Sequence, residues 1–332
     1  MVKKMNQKST FSLILAVLLT IAFSSQASAD PIKFKIATIA PDGTPWAHML
    51  NGFKKKVRKE SNKELMPRVY LNGLKGDEQS IVRQVYKGSL QMGGVSTGAL
   101  STIVPDMDIL ELPYAFPDFA TADKVLDEVR PTVEALLNEK GMTLLMYSEN
   151  GYRSFATKDK CIKKPDDLKA MKMRSQESEV HVETYRALGA SPVTISVGEV
   201  LSSLQTGVVN GFDNTPIITQ ALGWNQAIKF FSNTRHIYQP ALIIMNKTWF
   251  DALTPEHQKI IRENAMKLEK KGRKMVRGLE PALMKNFVNQ DVKVCDLTPA
   301  EVAAFKKATA KVWEIRAKKA SALGKKLIEA MK

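Results

Sequence analysis

The chain has 332 residues, more than one hydrophobic core usually organises, so two lobes are expected. At 44% hydrophobic and 25% charged residues, with no low-complexity tract, it is neither disordered nor fibrous. The formal net charge of +15 favours anionic partners. However, the lysines cluster on predicted helices (Lys54, Lys55 and Lys56; Lys270 and Lys271; Lys318 and Lys319) and read as solvated helix faces rather than a nucleic-acid surface.

Residues 1–29 have the grammar of an export signal. Lys3, Lys4 and Lys8 precede an apolar stretch at 11–23 (FSLILAVLLTIAF) that is short for a membrane span, and Ala27-Ser28-Ala29 offers a small-residue cleavage site before Asp30. A periplasmic location follows as the expectation, and nucleic acid is then a poor partner. The two cysteines, Cys161 and Cys295, would meet an oxidising compartment there. Both lie near segment ends, but their separation in space cannot be read from sequence, so their pairing stays open.

The first strand is expected at 34–39 (FKIATI). A loop at 40–43 follows, and Thr44 caps a helix with Pro45 in its first turn. Trp46, Met49, Leu50, Phe53 and Val57 recur at helical spacing as one buried stripe. A strand at 66–71, a Gly-rich loop, a helix opening at Asp77 and stopping at Gly88, and a strand at 90–95 complete the pattern. This strand–helix alternation predicts a mainly parallel sheet covered on both faces. Ligands in such sheets sit beyond the carboxyl ends of the strands, which places the loops at 39–44, 71–77 and 96–99 on one edge.

An aromatic, proline-rich connector at 110–119 (LELPYAFPDF) leads to a helix at 122–140 and a strand at 143–147. The Gly-containing turn at 149–153 is the candidate crossover between lobes. The grammar then repeats: a strand at 171–174, a helix at 177–188, a strand at 192–195, and a helix at 199–206 opened by a Ser196/Glu199 capping box and stopped by Gly207. Val208 and Val209 read as a short strand with Gly211, Phe212, Asp213 and Asn214 at its carboxyl end. The run at 85–93 loosely resembles that at 204–211, which suggests two similar lobes with polar loops meeting in a cleft. A strand at 241–245 follows, then a helix from Glu256 to about Leu279, kinked or broken there by Pro281 and long enough to reach both lobes. A short strand at 292–294 and a helical stretch at 299–332, capped by Thr298 and Glu301, end the chain.

No catalytic or metal-binding constellation stands out. His48, His181, His236 and His257 are scattered and read as surface or packing residues, and no nucleophile elbow, zinc-protease or P-loop pattern occurs. Gly93-Gly94 lacks a dinucleotide-binding setting. No cofactor or metal is expected. The remaining vocabulary is one of binding. Arg174, at a strand end, can hold a carboxylate in two parallel hydrogen bonds, or serve as a surface ion pair. Arg153 follows the crossover turn. Asn214 can donate to a carboxylate or merely cap the turn before Pro216. Phe212 and Trp224 can wall a pocket or fill a core, and Glu78 can be a ligand contact or an N-terminal helix carboxylate.

These residues carry a family resemblance. Asp167-Leu168-Lys169 through Met173-Arg174, Ala187-Leu188-Gly189-Ala190, Gly198-Glu199-Val200, Leu204 through Val209, and Gly211 through Pro216 resemble runs of the periplasmic substrate-binding subunits of TRAP transporters, in the DctP-like branch. Gly88 through Gln91 and Leu112-Pro113-Tyr114 look like first-lobe positions of that family. The resemblance implies a two-lobed α/β periplasmic binding protein fold with a hinge-closing cleft and a long helix spanning both lobes. It implies lobe I at 30–151 with 240–279, and lobe II at 152–239 with 280–332. Arg174 matches the carboxylate-binding arginine, Asn214 the asparagine lining the same site, and Arg153 a second basic position. Thr38, Asp42, Glu78, Ser96 and Thr97 would complete the site from the facing lobe. The implied function is that of a monomeric, non-enzymatic receptor delivering an organic acid to TRAP permease subunits. The sequence also allows a receptor for an ATP-driven importer or a sensor, or a periplasmic enzyme on the same fold. Departures occur at Ala170, Ser175-Gln176, Asn210 and Asp213, where the family patterns have Gly, Val-Pro, Asp and Glu.

Overall fold

A computed structural model describes residues 30–332, and the export signal read at 1–29 lies outside the described residues. Among the described residues no helix is long and apolar enough to cross a membrane.

The first half opens with β1 (Ile32–Thr38) and α1 (Pro45–Glu60). Thr44 caps α1 by accepting from the Ala47 amide at 3.3 Å, and the predicted stripe from Trp46 to Val57 is its buried face. After β2 (Leu65–Tyr70), Asp77 caps α2 (Glu78–Tyr86) by accepting from the Ser80 amide at 2.8 Å. Next comes β3 (Met92–Ser96). A Cβ at Gly93 would lie 2.8 Å from Ile81 and one at Gly94 2.8 Å from Trp46, so the glycine pair lets α2 and α1 press onto opposite faces of β3. There follow α3 (Thr97–Leu100), a 3-10 turn at Pro105–Glu111, α4 (Phe119–Glu128) and α5 (Arg130–Asn138). The single helix expected at 122–140 is broken at Val129, because Pro131 fits only the first turn of a helix.

The 16-residue β4 (Met142–Thr157) comes next, then β5 (Lys172–Ser175), α6 (Glu179–Ala187), β6 (Ser191–Thr194), α7 (Val200–Gln205), β7 (Gly211–Asn214) and α8 (Pro216–Ala221). The chain closes with the 17-residue β8 (Phe230–Asn246), α9 (Lys247–Asp251), the 35-residue α10 (Pro255–Asn289), β9 (Lys293–Cys295), α11 (Pro299–Lys319) and α12 (Ala322–Ala330).

Among the described residues the nine strands join one sheet in the order β2-β1-β3-β8-β4-β7-β5-β6, with β9 also on β8. Its two wings, β2-β1-β3 and β6-β5-β7, are each parallel and carry their strands in the same sequence order. The loose repeat in the sequence is therefore a repeat of topology. The long antiparallel pair β4–β8 joins the wings. Buried apolar clusters cover the sheet on both sides of each wing, as parallel strands require.

Several sequence expectations are corrected. The crossover at 149–153 is no loose turn: β4 runs straight through it, with a register shift between Glu149 and Gly151 and φ of 94° at Gly151. Val208-Val209 is not a strand; the strand is Gly211–Asn214 itself, with Val208 half-exposed and Val209 turned into the core. Ser196 donates to the Glu199 carboxylate at 3.1 Å but makes no backbone cap, and that helix opens on a 3-10 turn. Pro281 does not end α10. It sits on the exposed side, where water can solvate the carbonyl it leaves unbonded. The terminal stretch is two helices, separated where Ser321 caps α12. Cys161 and Cys295, 134 residues apart, are bonded and tie the segment after β4 to β9.

Candidate functional site

Arg174 sits near the end of β5, in register with Val193 on one side and Phe212 on the other. Only 1% of it is exposed. Its Nε donates to the Ile195 carbonyl at 3.0 Å, and its guanidinium lies 5.5 Å from the Trp224 ring centroid. Among the described residues neither terminal nitrogen has a hydrogen-bond partner, and no carboxylate pairs with the group. Desolvation first, and the neighbouring charge of Arg153 second, push its pKa down to about 10. Arg174 is thus a buried cation whose fork is not neutralised by its own protein.

Arg153, on β4, is equally buried but fully engaged. Its Nε and Nη2 donate to Asp213 Oδ2 and the Asp213 carbonyl, both at 2.6 Å. Its Nη1 reaches Gln239 Oε1 at 3.1 Å, Asn214 Oδ1 at 3.3 Å and Gln176 Oε1 at 3.4 Å. Tyr185 donates to Asp213 Oδ1 at 2.8 Å. Burial opposes the Asp213 charge, but Arg153 and the adjacent His181 and His236 hold its carboxyl well below the usual range.

A second buried carboxylate, Glu111, extends this network. It accepts from Thr97 Oγ1 at 2.6 Å and the Gly98 amide at 2.5 Å. It also meets Gln239 Nε2 at 3.0 Å, Gln176 Nε2 at 3.1 Å and His181 Nε2 at 2.5 Å. Burial raises the Glu111 pKa, but the His181, Arg153 and Thr97 interactions outweigh it and leave it lowered. The network links α3, β4, β5–α6, β7 and β8 in one polar layer.

The facing edge is built by the first wing. Thr38 ends β1 and is buried, with its hydroxyl accepting from the Ala40 amide at 3.3 Å. Ser96 ends β3 and donates through its amide and hydroxyl to Glu78 at 2.8 and 2.9 Å. Desolvation raises the Glu78 pKa. A cavity of about 400 Å³ opens between the wings, lined by Ile39, Asn72 and Asp77 on one side and Ser196, Leu222 and Trp224 on the other.

The structure therefore brings Arg174, Arg153, Asn214 and Thr97 into or beside one buried polar layer, with Thr38, Ser96 and Glu78 on the facing edge. Asn214 Nδ2 has no partner among the described residues, while its Oδ1 accepts from Arg153 and from the Thr215 amide. Two expected contacts, Phe212 and Asp42, sit elsewhere, and a third, Trp224, lies at the edge of the site. Phe212 is fully buried in the apolar core of the second wing, edge-on to Trp224 at 5.0 Å. Trp224 borders the cavity but is itself 1% exposed. Asp42 faces solvent and accepts from the Gly43 amide at 3.0 Å, which closes its own turn. Reading single motifs missed Glu111, Gln176, His181, Tyr185 and Gln239. The signals were present: Glu111 interrupts an apolar run, and the buried face of α6 carries His181, Thr184 and Tyr185, polar residues where a core stripe would be apolar.

Two parallel wings, a long paired hinge and an unneutralised buried arginine between them define a two-lobed α/β binding protein. Residues 36–319 match the family DctP, bacterial extracellular solute-binding protein family 7, and the chain belongs to that family. The 2,3-diketo-L-gulonate-binding periplasmic protein YiaO of Escherichia coli is 29% identical over 80% of this chain and 81% of that one. A TRAP periplasmic solute binding protein from Sulfitobacter sp. NAS-14.1, solved with bound beta-D-galacturonate, superposes with a TM-score of 0.86 at 26% identity, covering 90% of this chain and 99% of the other. Another from Ralstonia eutropha H16, solved with bound (S)-2-acetolactate, has a TM-score of 0.84 at 28% identity, covering 90% and 98%.

Proposed function

We propose that the protein is a receptor for a small organic acid, whose carboxylate is held by Arg174 in the cleft and which is handed to a TRAP-type permease. The carrying observation is that Arg174 is buried with no protein carboxylate to neutralise it. An isolated buried cation is costly, and a carboxylate ligand offsets that cost with two charge-assisted hydrogen bonds. Asn214 Nδ2 adds a donor from β7. Thr38, Ser96 and Thr97 supply polar contacts from the facing wing. Arg153 acts through its ion pair with Asp213 and holds Asn214 in place.

The lobes are taken as 30–151 with 240–279 and 152–239 with 280–332, hinged where β4 and β8 cross between wings, with α10 running alongside. Ligand contacts from both lobes favour closure, because a ligand shifts an equilibrium only by its differential affinity for the two states. One chain supplies both walls of the cleft, which is the basis for reading the monomer as the working unit. The reading is of a receptor and not an enzyme, with export to the periplasm. The related proteins bound to a diketo sugar acid, a uronate and a hydroxy-keto acid share a carboxylate beside oxygen-bearing carbons, and this is the ligand class favoured here.

A thermal-shift screen of the purified protein against uronates, aldonates, 2-hydroxy and 2-keto acids and dicarboxylates tests the reading, since a ligand of the folded form raises the melting temperature by mass action. At least one acid should shift the protein and its uncharged methyl ester should not. A stabilising compound without an acid group would overturn the proposal.

A further inference from the structure

A second cavity, of about 410 Å³, lies behind the hinge. It shares no lining residue with the cleft cavity. Tyr152 and Arg153 are consecutive in β4, so their side chains leave opposite faces of the strand: Arg153 toward Asp213, Tyr152 into this cavity. The geometry points to a second binding site here, for a small aromatic carboxylate.

The walls are shaped by two irregularities. Between the pairs Arg153↔Ile237 and Phe155↔Ser232, β4 contributes only Ser154, whereas β8 contributes Asn233 to His236. The excess bulges out, and Arg235 takes the left-handed conformation at φ 45°, with its amide held by Ser154 Oγ at 3.0 Å. Opposite it, the aromatic, proline-rich connector places Tyr114, also left-handed at φ 56°. The Tyr114 amide donates to the His236 carbonyl at 2.8 Å and its hydroxyl to the Thr234 carbonyl at 3.4 Å. Bulky residues adopt this conformation only where their surroundings impose it. Here two do so against one bulge and line one cavity.

The chemistry is mixed in a specific way. Tyr114, half-buried, offers an aromatic surface, while Phe116 and Tyr152 line the cavity from almost fully buried positions. The Arg235 guanidinium stacks 4.0 Å from the Tyr152 ring centroid. Its Nη1 pairs with Glu280 of α10, while Nε and Nη2 have no partner among the described residues. Lys306 of α11 adds an ammonium at the rim, and the one acidic lining residue, Asp296, already accepts from Asn233 at 3.1 Å. A ring packs against Tyr114 while its carboxylate meets Arg235 and Lys306. The connector, β8 and α11 all touch such an occupant.

Calorimetric titration with benzoate tests this on the whole folded protein. Wild type and Arg174→Ala should bind it with equal affinity, whereas Arg235→Gln with Lys306→Gln should bind about ten-fold or more weakly, for loss of charge-assisted bonds. Lys306→Glu alone, a change at an exposed helix position, should weaken binding in the same direction. Absence of binding at millimolar benzoate would overturn the proposal. So would loss of binding in Arg174→Ala, which would assign benzoate to the cleft, or unchanged binding in the Lys306 variants.

Discussion

Arg153 and Arg174 share one buried site, but only Arg153 has a carboxylate of the protein to pair with: its Nε lies 2.6 Å from Asp213 Oδ2. The two arginines therefore do different work. Arg153 is spent internally, fixing Asp213 and Asn214, while the Arg174 fork stays free for an anion. Sequence spacing alone treats them alike, since both are arginines in or beside strands.

Asp213→Asn removes one partner of the buried pair and leaves Arg153 uncompensated. Breaking such a pair costs about 3–5 kcal/mol, and urea denaturation should show a loss of that order. The pH dependence has a definite sign. Asp213 titrates below the ordinary aspartate range in the fold, so its contribution is present above about pH 4 and lost as pH falls through the folded value. The variant should lose less stability than wild type on acidification.

His181 has the opposite sign. Burial and Arg153 oppose its charge, but the nearby Asp213 carboxylate and the ring's 2.5 Å bond to Glu111 outweigh them and raise its pKa. Its contribution is then full below about pH 6.5 and lost as pH rises through the folded value. His181→Gln should flatten the fall in melting temperature between neutral and mildly alkaline pH. An unchanged slope would mean that the ring is neutral beside Glu111.

The Cys161–Cys295 bond spans 134 residues, so it restricts the unfolded chain strongly. Replacing both by serine should cost about 2–5 kcal/mol in stability. Cys295 lies on β9, which pairs with β8, and β4 and β7 stand between that strand and the β5 of Arg174, so ligand affinity below the melting transition should stay as in wild type.

Much of this architecture was legible in the residues. Thr44-Pro45, Asp77 and Thr298 mark helix starts through local hydrogen bonds, and the stripe from Trp46 to Val57 states its own period. Arg174 and Asn214 announced themselves by ending short strands in a parallel pattern. Global pairing decided what local rules could not. The stretch at 149–153 reads as a turn around Gly151, yet it is strand because β8 runs beside it. Glu111 and His181 are 70 residues apart and meet only once α6 packs against the 3-10 turn. Phe212 looked like a pocket wall because it was placed in a loop beyond a strand at 208–209; the strand is Gly211–Asn214 itself, and pairing with β4 and β5 fixes the Phe212 ring in the core.

The role of Arg174 is tested most directly by calorimetry with an acid found in the thermal-shift screen. Arg174→Ala should weaken binding by about 2–5 kcal/mol, which is about 30-fold to several thousand-fold. The ligand-free variant should melt no lower than wild type, because a buried guanidinium without a counter-charge contributes no stability to the empty protein. Wild-type affinity in a folded Arg174→Ala protein would contradict the account.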